Sequence, residues 1–350
     1  MTVLDRPATR REASSRQRST AALATGLVLL TAVLVVVCFL SITWGSRGVG
    51  PTTIWKAFAA YDPDSASQTV IRELRVPRTL IGLFAGAALG VSGVILQGVT
   101  RNPLADPGIM GINAGAATCI VFAIMVLGTQ DVSTYVWFAF LGAGLTTVTV
   151  YGIASLGREG ATPVKLALAG AAVTAILTSL TSAIVMTNVE ALDQLRFWQV
   201  GSLAGRYFPV FWQTVPFIAV GLLVALGSGR ALNGLALGED LAHVLGQRVR
   251  LTRLVLFATV AVLCGAATAA CGPIVFIGLV VPHLARMLCG PDHRWLLPYA
   301  LVLTPSVLLA ADVVGRLVVS PGELQVGVVL GLLGAPAFIA LVRYRSLTEV

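Results

Sequence analysis

Residues Leu74–Ala117 read LRVPRTLIGLFAGAALGVSGVILQGVTRNPLADPGIMGINAGAA. The stretch opens on Arg75 and Arg78, continues through an apolar span threaded with Gly82, Gly86 and Gly90, and ends in a polar hairpin that holds Pro103 and Pro107. Glycines four residues apart share one helix face and let a neighbouring backbone approach, the small-xxx-small spacing of helices packed in lipid. Proline has no amide hydrogen to continue the helix, so the span stops at the hairpin. The segment therefore reads as one closely packed membrane helix, a sharp turn and the start of the next.

Working outward, the same texture covers the chain. Of 350 residues, 56% are hydrophobic and 11% charged, with a mean hydropathy of +0.87. That leaves too little polar surface for a water-soluble globule of this length. Ten apolar runs approach the roughly 17–25 residues that cross a bilayer as a helix. They are Ala21–Trp44, Leu80–Val99, Gly108–Leu127, Tyr135–Leu156, Lys165–Met186, Val210–Leu226, Leu251–Ala270, Ile274–Cys289, Leu296–Val319 and Gln325–Val342. The runs are continuous and not alternating, so helices and not a lipid-facing sheet satisfy the backbone. The expected fold is all-α, a polytopic membrane protein of about ten transmembrane helices spanning residues 21–350. The first run is longer than a signal-peptide core and lacks a clear cleavage site, so it is expected to stay as a helix.

Charge sets the expected orientation. With the tail of residues 1–20 inside, alternation of the spans puts 16 of the 24 Lys and Arg on the inner side, so both termini are expected to be cytoplasmic. The tail, rich in Arg, Ser and Thr, has no apolar period and is expected to be disordered. The net charge of +8 has an obvious partner in anionic inner-leaflet lipid, and nucleic acid is not implied. Cys38, Cys119, Cys264, Cys271 and Cys289 lie in or beside the spans without metal-ligand spacing, so no metal site is expected.

Two segments outside the spans carry information. Residues 188–209, NVEALDQLRFWQVGSLAGRYFP, mix aromatic and charged residues and predict a short helix at the outer mouth. Within residues 229–250, the stretch Leu237–Gly246 (LGEDLAHVLG) places Glu239 and Asp240 in the first turn of a short helix bracketed by glycines. Leu241, Val244 and Leu245 share one of its faces, which suits either a protein groove or the lipid surface.

No phosphate-cradling GxxxxGK[ST] occurs, so ATP-driven work would need a separate subunit. Gly90-Val91-Ser92-Gly93 matches the GxSG pattern of intramembrane serine proteases, with His283 as a base in another span. Gly90, however, already belongs to the packing series. Asp312 is the one good carboxylate for an ion-coupled secondary transporter, yet its i,i+4 spacing to Arg316 favours a helix-face ion pair. His283 and Arg286 read equally as local caps or as residues of the inner mouth. Arg72 reads as snorkelling to headgroups.

Four blocks together resemble the FecCD-type permeases of ABC importers for iron–siderophores, haem and cobalamin: Leu74–Ala117; LGEDLAHVLG; GPIVFIGLVVPHLAR (272–286) with the DHR that follows; and ADVVGR (311–316) with ELQVGVVLGLLGAPAFIAL (323–341). Gln325 stands where the family usually has Pro. The resemblance implies a cobalamin-importer-permease-like fold in the cytoplasmic membrane. It implies a transport subunit that is not itself an enzyme, with ATP and Mg on partner ATPases and no cofactor in this chain. An external substrate-binding protein and a second permease, more readily a paralogue than a second copy, complete the assembly. The implied cargo is a ferric siderophore, with haem and cobalamin as alternatives. Leu237, Gly238, Glu239, Asp240, Leu241, Leu245 and Gly246 match the family's ATPase-coupling helix. Arg75, Arg78 and Arg316 match the arginines that dock acidic residues of the binding protein. Asn102 and Leu104 match the cytoplasmic gate.

Overall fold

A computed structural model describes residues 19–45, 48–128, 131–156 and 162–344. The basic tail, apart from Ser19 and Thr20, lies outside the described residues, as do Arg158 and Arg345.

The chain is a multi-pass bundle of helices. Among the described residues, seven apolar segments are long enough to cross a membrane: α1 (Thr20–Thr43); α4 (Val76–Thr100) with the turns that lead into it; α6 (Val132–Ala154); α7 (Pro163–Thr187); α9 (Phe208–Gly227); α12 (Val249–Cys271); and α14 (His293–Val318). Three shorter apolar helices, α5 (Ile112–Leu127), α13 (Ile277–Cys289) and α15 (Val326–Tyr344), complete the ten expected spans. Between them lie the short helices α2 (Pro51–Ala59), α3 (Ala66–Thr69), α8 (Val189–Gln199), α10 (Gly229–Ala236) and α11 (Glu239–Val244). A π-helical turn, Val70–Arg75, joins α3 to α4.

Two spans begin later than their apolar runs. α5 starts at Ile112 because Pro107–Met110 form a 3-10 turn, started by the Asp106 side chain and ended by Gly111 at φ 71°. α13 starts at Ile277 because Gly272 (φ 76°) and Phe276 (φ 64°) hold left-handed conformations that helices do not continue through.

α4 is the hub, buried over most of its length against α14, α12, α13 and α9. Its glycine series is the reason. A methyl on Gly86 would stand 2.8 Å from Pro305 Cα, and those on Gly82 and Gly90 would strike Leu309 and Thr304, all on α14. Gly93 is packed in the same way against the Gly278 carbonyl of α13. Close approach of this kind supplies the dispersion contact that replaces the hydrophobic effect between helices in lipid. Buried hydroxyls of Thr79, Thr100 and Thr304 return to the carbonyl four residues back, which satisfies them without water.

Contacts define the two ends of the bundle. At one, the C-terminus of α1, the N-terminus of α4, the C-terminus of α14 and the loop after α8 meet. At the other, α10 meets the N-terminus of α14, and Gly98, near the C-terminus of α4, lies against His293. α11 stands on this second side, where the Gly238 backbone approaches Arg101.

Candidate functional site

The first end is a cluster of guanidiniums. Arg78 of α4 grips Asp312 of α14 with Nη2 to Oδ1 at 2.7 Å and Nε to Oδ2 at 3.0 Å, and its Nη1 reaches Glu323 Oε2 at 2.7 Å. Arg316, one turn beyond Asp312, pairs with Oδ2 at 3.1 Å, as the i,i+4 spacing predicts. Its Nη1 donates to the carbonyls of Ser41 and Trp44, both at 2.9 Å. Arg75 donates to the carbonyls of Ile42 at 3.0 Å and Thr43 at 2.7 Å. The last carbonyls of a helix lack intrahelical donors and carry partial negative charge, so the end of α1 is a natural seat for two arginines.

These residues line a cavity of about 350 Å³, open toward the end of the bundle and shared with Tyr207 and Arg206. Arg206 comes from the loop between α8 and α9, where Gly201 (φ 71°) and Gly205 (φ 67°) turn the chain. That loop is pinned by Ser202 N–H on the Cys271 carbonyl at 2.8 Å and by Gly327 N–H on the Gly201 carbonyl at 3.0 Å. Arg206 is 7% exposed, its Nε has no hydrogen-bond partner, and no carboxylate pairs with it among the described residues. Sequence reasoning gave it no role; its signal was that it is one of eight basic residues on the side expected to be poor in them. Arg72 is exposed, with its guanidinium over the Tyr61 ring at 4.5 Å.

At the second end, α11 has the form expected of LGEDLAHVLG. Gly238 (φ 110°) and Gly246 (φ 79°) bracket it, and Glu239 and Asp240 occupy its first turn. Glu239 pairs with Arg253 of α12 at 2.6 Å, which ties the helix to the bundle. Ala242 faces inward, whereas Leu237, Leu241, Leu245 and above all Val244, 84% exposed, project away from the chain.

The hairpin after α4 lies on the same side. Asn102 Oδ1 accepts from Leu104 N–H at 2.9 Å, so Asn102 builds the turn that presents the exposed Leu104. Asp106 accepts from Gly108 N–H at 2.7 Å and lines a small cavity with Asn113 and Thr268. Burial pushes the Asp106 carboxyl up, against the opposing pull of the Gly108 N–H. Arg286 is drawn to Gln97 Oε1 at 3.2 Å, while Gln97 Nε2 donates to the Leu279 carbonyl at 3.2 Å. Ser92, the potential nucleophile, is fully buried in α4 beside Cys264 and makes no hydrogen bond to His283.

The chain is similar to known proteins over most of its length. The model of the FecCD transport family matches residues 33–344. The ferric enterobactin transport system permease protein FepD of Escherichia coli K12 is 44% identical over 92% of this chain and 95% of its own length. The probable siderophore transport system permease protein YfiZ of Bacillus subtilis is 39% identical over 91% and 95%. Among solved structures, a metal-chelate type ABC transporter in an inward-facing conformation superposes with a TM-score of 0.76 at 30% identity, covering 92% of this chain and all of that one.

Proposed function

The chain belongs to the FecCD transport family, and we propose that it is the membrane-spanning subunit of an ATP-binding-cassette importer that carries a ferric siderophore across the cytoplasmic membrane. Both termini and α11 lie on the cytoplasmic side; the arginine cluster faces outward. A loaded binding protein docks on the outer face through acidic side chains directed at the cavity lined by Arg75, Arg78 and Arg316, which are 6%, 9% and 2% exposed and held by partners within the chain, so docking exchanges some of those internal contacts for new ones. Arginine's planar fork suits a carboxylate, and several such rim contacts are needed because each contributes only about 0–1 kcal/mol.

The observation that carries the reading is α11. A capped two-turn helix, tethered by Glu239–Arg253 and showing four aliphatic side chains to solvent, has the form of a peg for a groove on a partner. ATP binding closes two ATPase subunits, the peg transmits that motion to the helices beside it, and the hairpin at Asn102 and Leu104 opens or seals the inner end of the pathway. Leucines at a constriction exclude water, and thus ions, until they part. The pathway itself lies between this chain and a second, paralogous permease, with α7 and the residues 188–209 at its outer gate. No bond is made or broken in this chain; ATP and Mg belong to the ATPases.

The test is copurification of the tagged chain from membranes in mild detergent, wild type against the double variant Glu239→Arg with Leu241→Asp. Retention of an ATPase by wild type and its loss by the variant supports the assignment. Absence of any ATPase from folded wild-type protein overturns it.

A further inference from the structure

Three of the four arginines in the outer cavity are already satisfied within the chain. Arg78 holds Asp312 and Glu323, Arg316 holds Asp312 and two carbonyls, and Arg75 holds the end of α1. Arg206 is the exception among the described residues: more than nine-tenths buried, with an orphaned Nε and no carboxylate beside it. Burying a charge without a counter-charge is strongly unfavourable, and a buried donor left without an acceptor calls for an explanation such as a missing ligand. Arg206 lines a cavity of about 350 Å³ together with Arg75, Arg78 and Arg316, and the carboxylates nearby among the described residues, Glu323 in the lining and Asp312 behind it, are both engaged by Arg78 and not by Arg206.

Size and position argue for what fills it. The cavity is open toward the end of the bundle and is roomier than a lone carboxylate needs. Tyr207, half-exposed beside Arg206, adds an aromatic wall. The loop that carries both residues leads from α8, at the mouth of the bundle, into the span α9.

Resting on the importer reading, we infer that Arg206 is a cargo-binding residue: it takes an anionic oxygen of a negatively charged ferric chelate as the cargo passes from the binding protein into the permease, and so biases this permease toward anionic over neutral chelates. A ferric triscatecholate is a trianion, whereas a ferric trihydroxamate is neutral, and only the first gains from a guanidinium placed in a partly desolvated pocket.

The experiment uses the assembled importer in nanodiscs of neutral lipid without its binding protein, and reads retention of iron-55 on two probes, a ferric triscatecholate and a ferric trihydroxamate. Wild type is expected to retain the trianion more strongly than the neutral chelate, with the preference shrinking as salt rises. Arg206→Gln is expected to reduce retention of the trianion about tenfold and leave the neutral chelate unchanged; Arg206→Lys is expected to restore part of the preference. Thermal unfolding of each variant confirms that it is folded. Equal retention of both chelates by wild type, or an equal loss of both in Arg206→Gln, overturns the inference. Docking of the unloaded binding protein is measured alongside: it is expected to be unchanged, and a loss there would identify the occupant as an acidic side chain of that protein and overturn the assignment to cargo. Failure of the importer reading is distinct, because wild type would then show no ATP-dependent uptake of any ferric chelate with the full system.

Discussion

Arg78 and Asp312, 234 positions apart in the chain, form a three-bond ion pair at the end of α4 and α14, and Arg316 shares the same carboxylate. Removing one partner of a buried pair leaves an uncompensated charge and typically destabilises by about 3–5 kcal/mol. Asp312→Asn takes the shared counter-charge from two guanidiniums at once, leaving Arg78 with Glu323 alone and Arg316 with backbone carbonyls, whereas Arg78→Gln leaves Asp312 with Arg316. Thermal unfolding in detergent is therefore expected to rank Asp312→Asn below Arg78→Gln. Uptake by whatever Asp312→Asn protein folds should still require ATP; uptake that persists after loss of the ATPase in wild type would favour an ion-coupled carrier instead.

The α4–α14 contact is limited by backbone approach. Gly86→Val places side-chain carbon against Pro305, and overpacking costs about 1–3 kcal/mol even where neighbours can adjust. Folded yield, read by fluorescence-detected size exclusion, is expected to collapse. Ser92→Ala, at a fully buried site on the same helix, is expected to fold and transport as wild type, and no peptide-cleavage activity should be there to lose.

The apolar side chains of α11 touch little within the chain, so their removal separates coupling from folding. Leu241→Asp with Val244→Asp is expected to leave the melting temperature within a degree or two while abolishing chelate-stimulated ATP hydrolysis by the reconstituted complex. A large drop in melting temperature would show that this face is instead packed in the free chain.

Two carboxylates outside the helical spans respond to pH with opposite sign. The Asp106 carboxyl is raised by burial above the unfolded value near about 3.9, so its ionised form weakens the fold at neutral pH, and stability is regained as pH falls through the raised value. Asp106→Asn keeps an oxygen for Gly108 N–H, and is expected to melt higher than wild type at pH 7 with the gap closing toward pH 4. Asp292 is lowered: burial pushes it up, but the Asn233 amide, the Arg294 N–H and the nearby cations outweigh that. Its contribution is present above about 3.9 and is lost as pH falls through the depressed value. Asp292→Ala, which removes the N-cap of α14, is expected to lose about 1 kcal/mol at pH 7 and less in acid, by the same melting assay.

The spans were legible because apolar length is a local property, and the glycine series because a spacing of four states which face is flat. α11 was legible for the same reason: its glycines, acids and leucines are contiguous. The Asp312–Arg316 pair followed from i,i+4 geometry, but its third member, Arg78, did not, since nothing local to RVPR points 234 positions ahead. Arg206 and Asp106 were missed for a related reason. Each sits in a turn whose sequence explains the turn, and their surroundings come from distant segments: α4 and the end of α14 around Arg206, α12 and α13 around Asp106. The starts of α5 and α13 were misplaced because apolar runs do not reveal the left-handed residues Gly111 and Phe276 that interrupt them.

α1 is seated along α14, from the Leu23 carbonyl that takes the Tyr299 hydroxyl to its final carbonyls, and the Arg316 that caps two of those lies 275 residues after Ser41. At a synthesis rate of about 5–20 residues per second, that separation is roughly 15–55 s. For that interval the newborn first helix waits in lipid with its end half-tied by Arg75, while Arg78 waits for Asp312. The chain's mouth is thus sealed last, by segments near its C-terminus, so truncation beyond α13 should leave a nascent permease whose charged entrance is a target for membrane quality control.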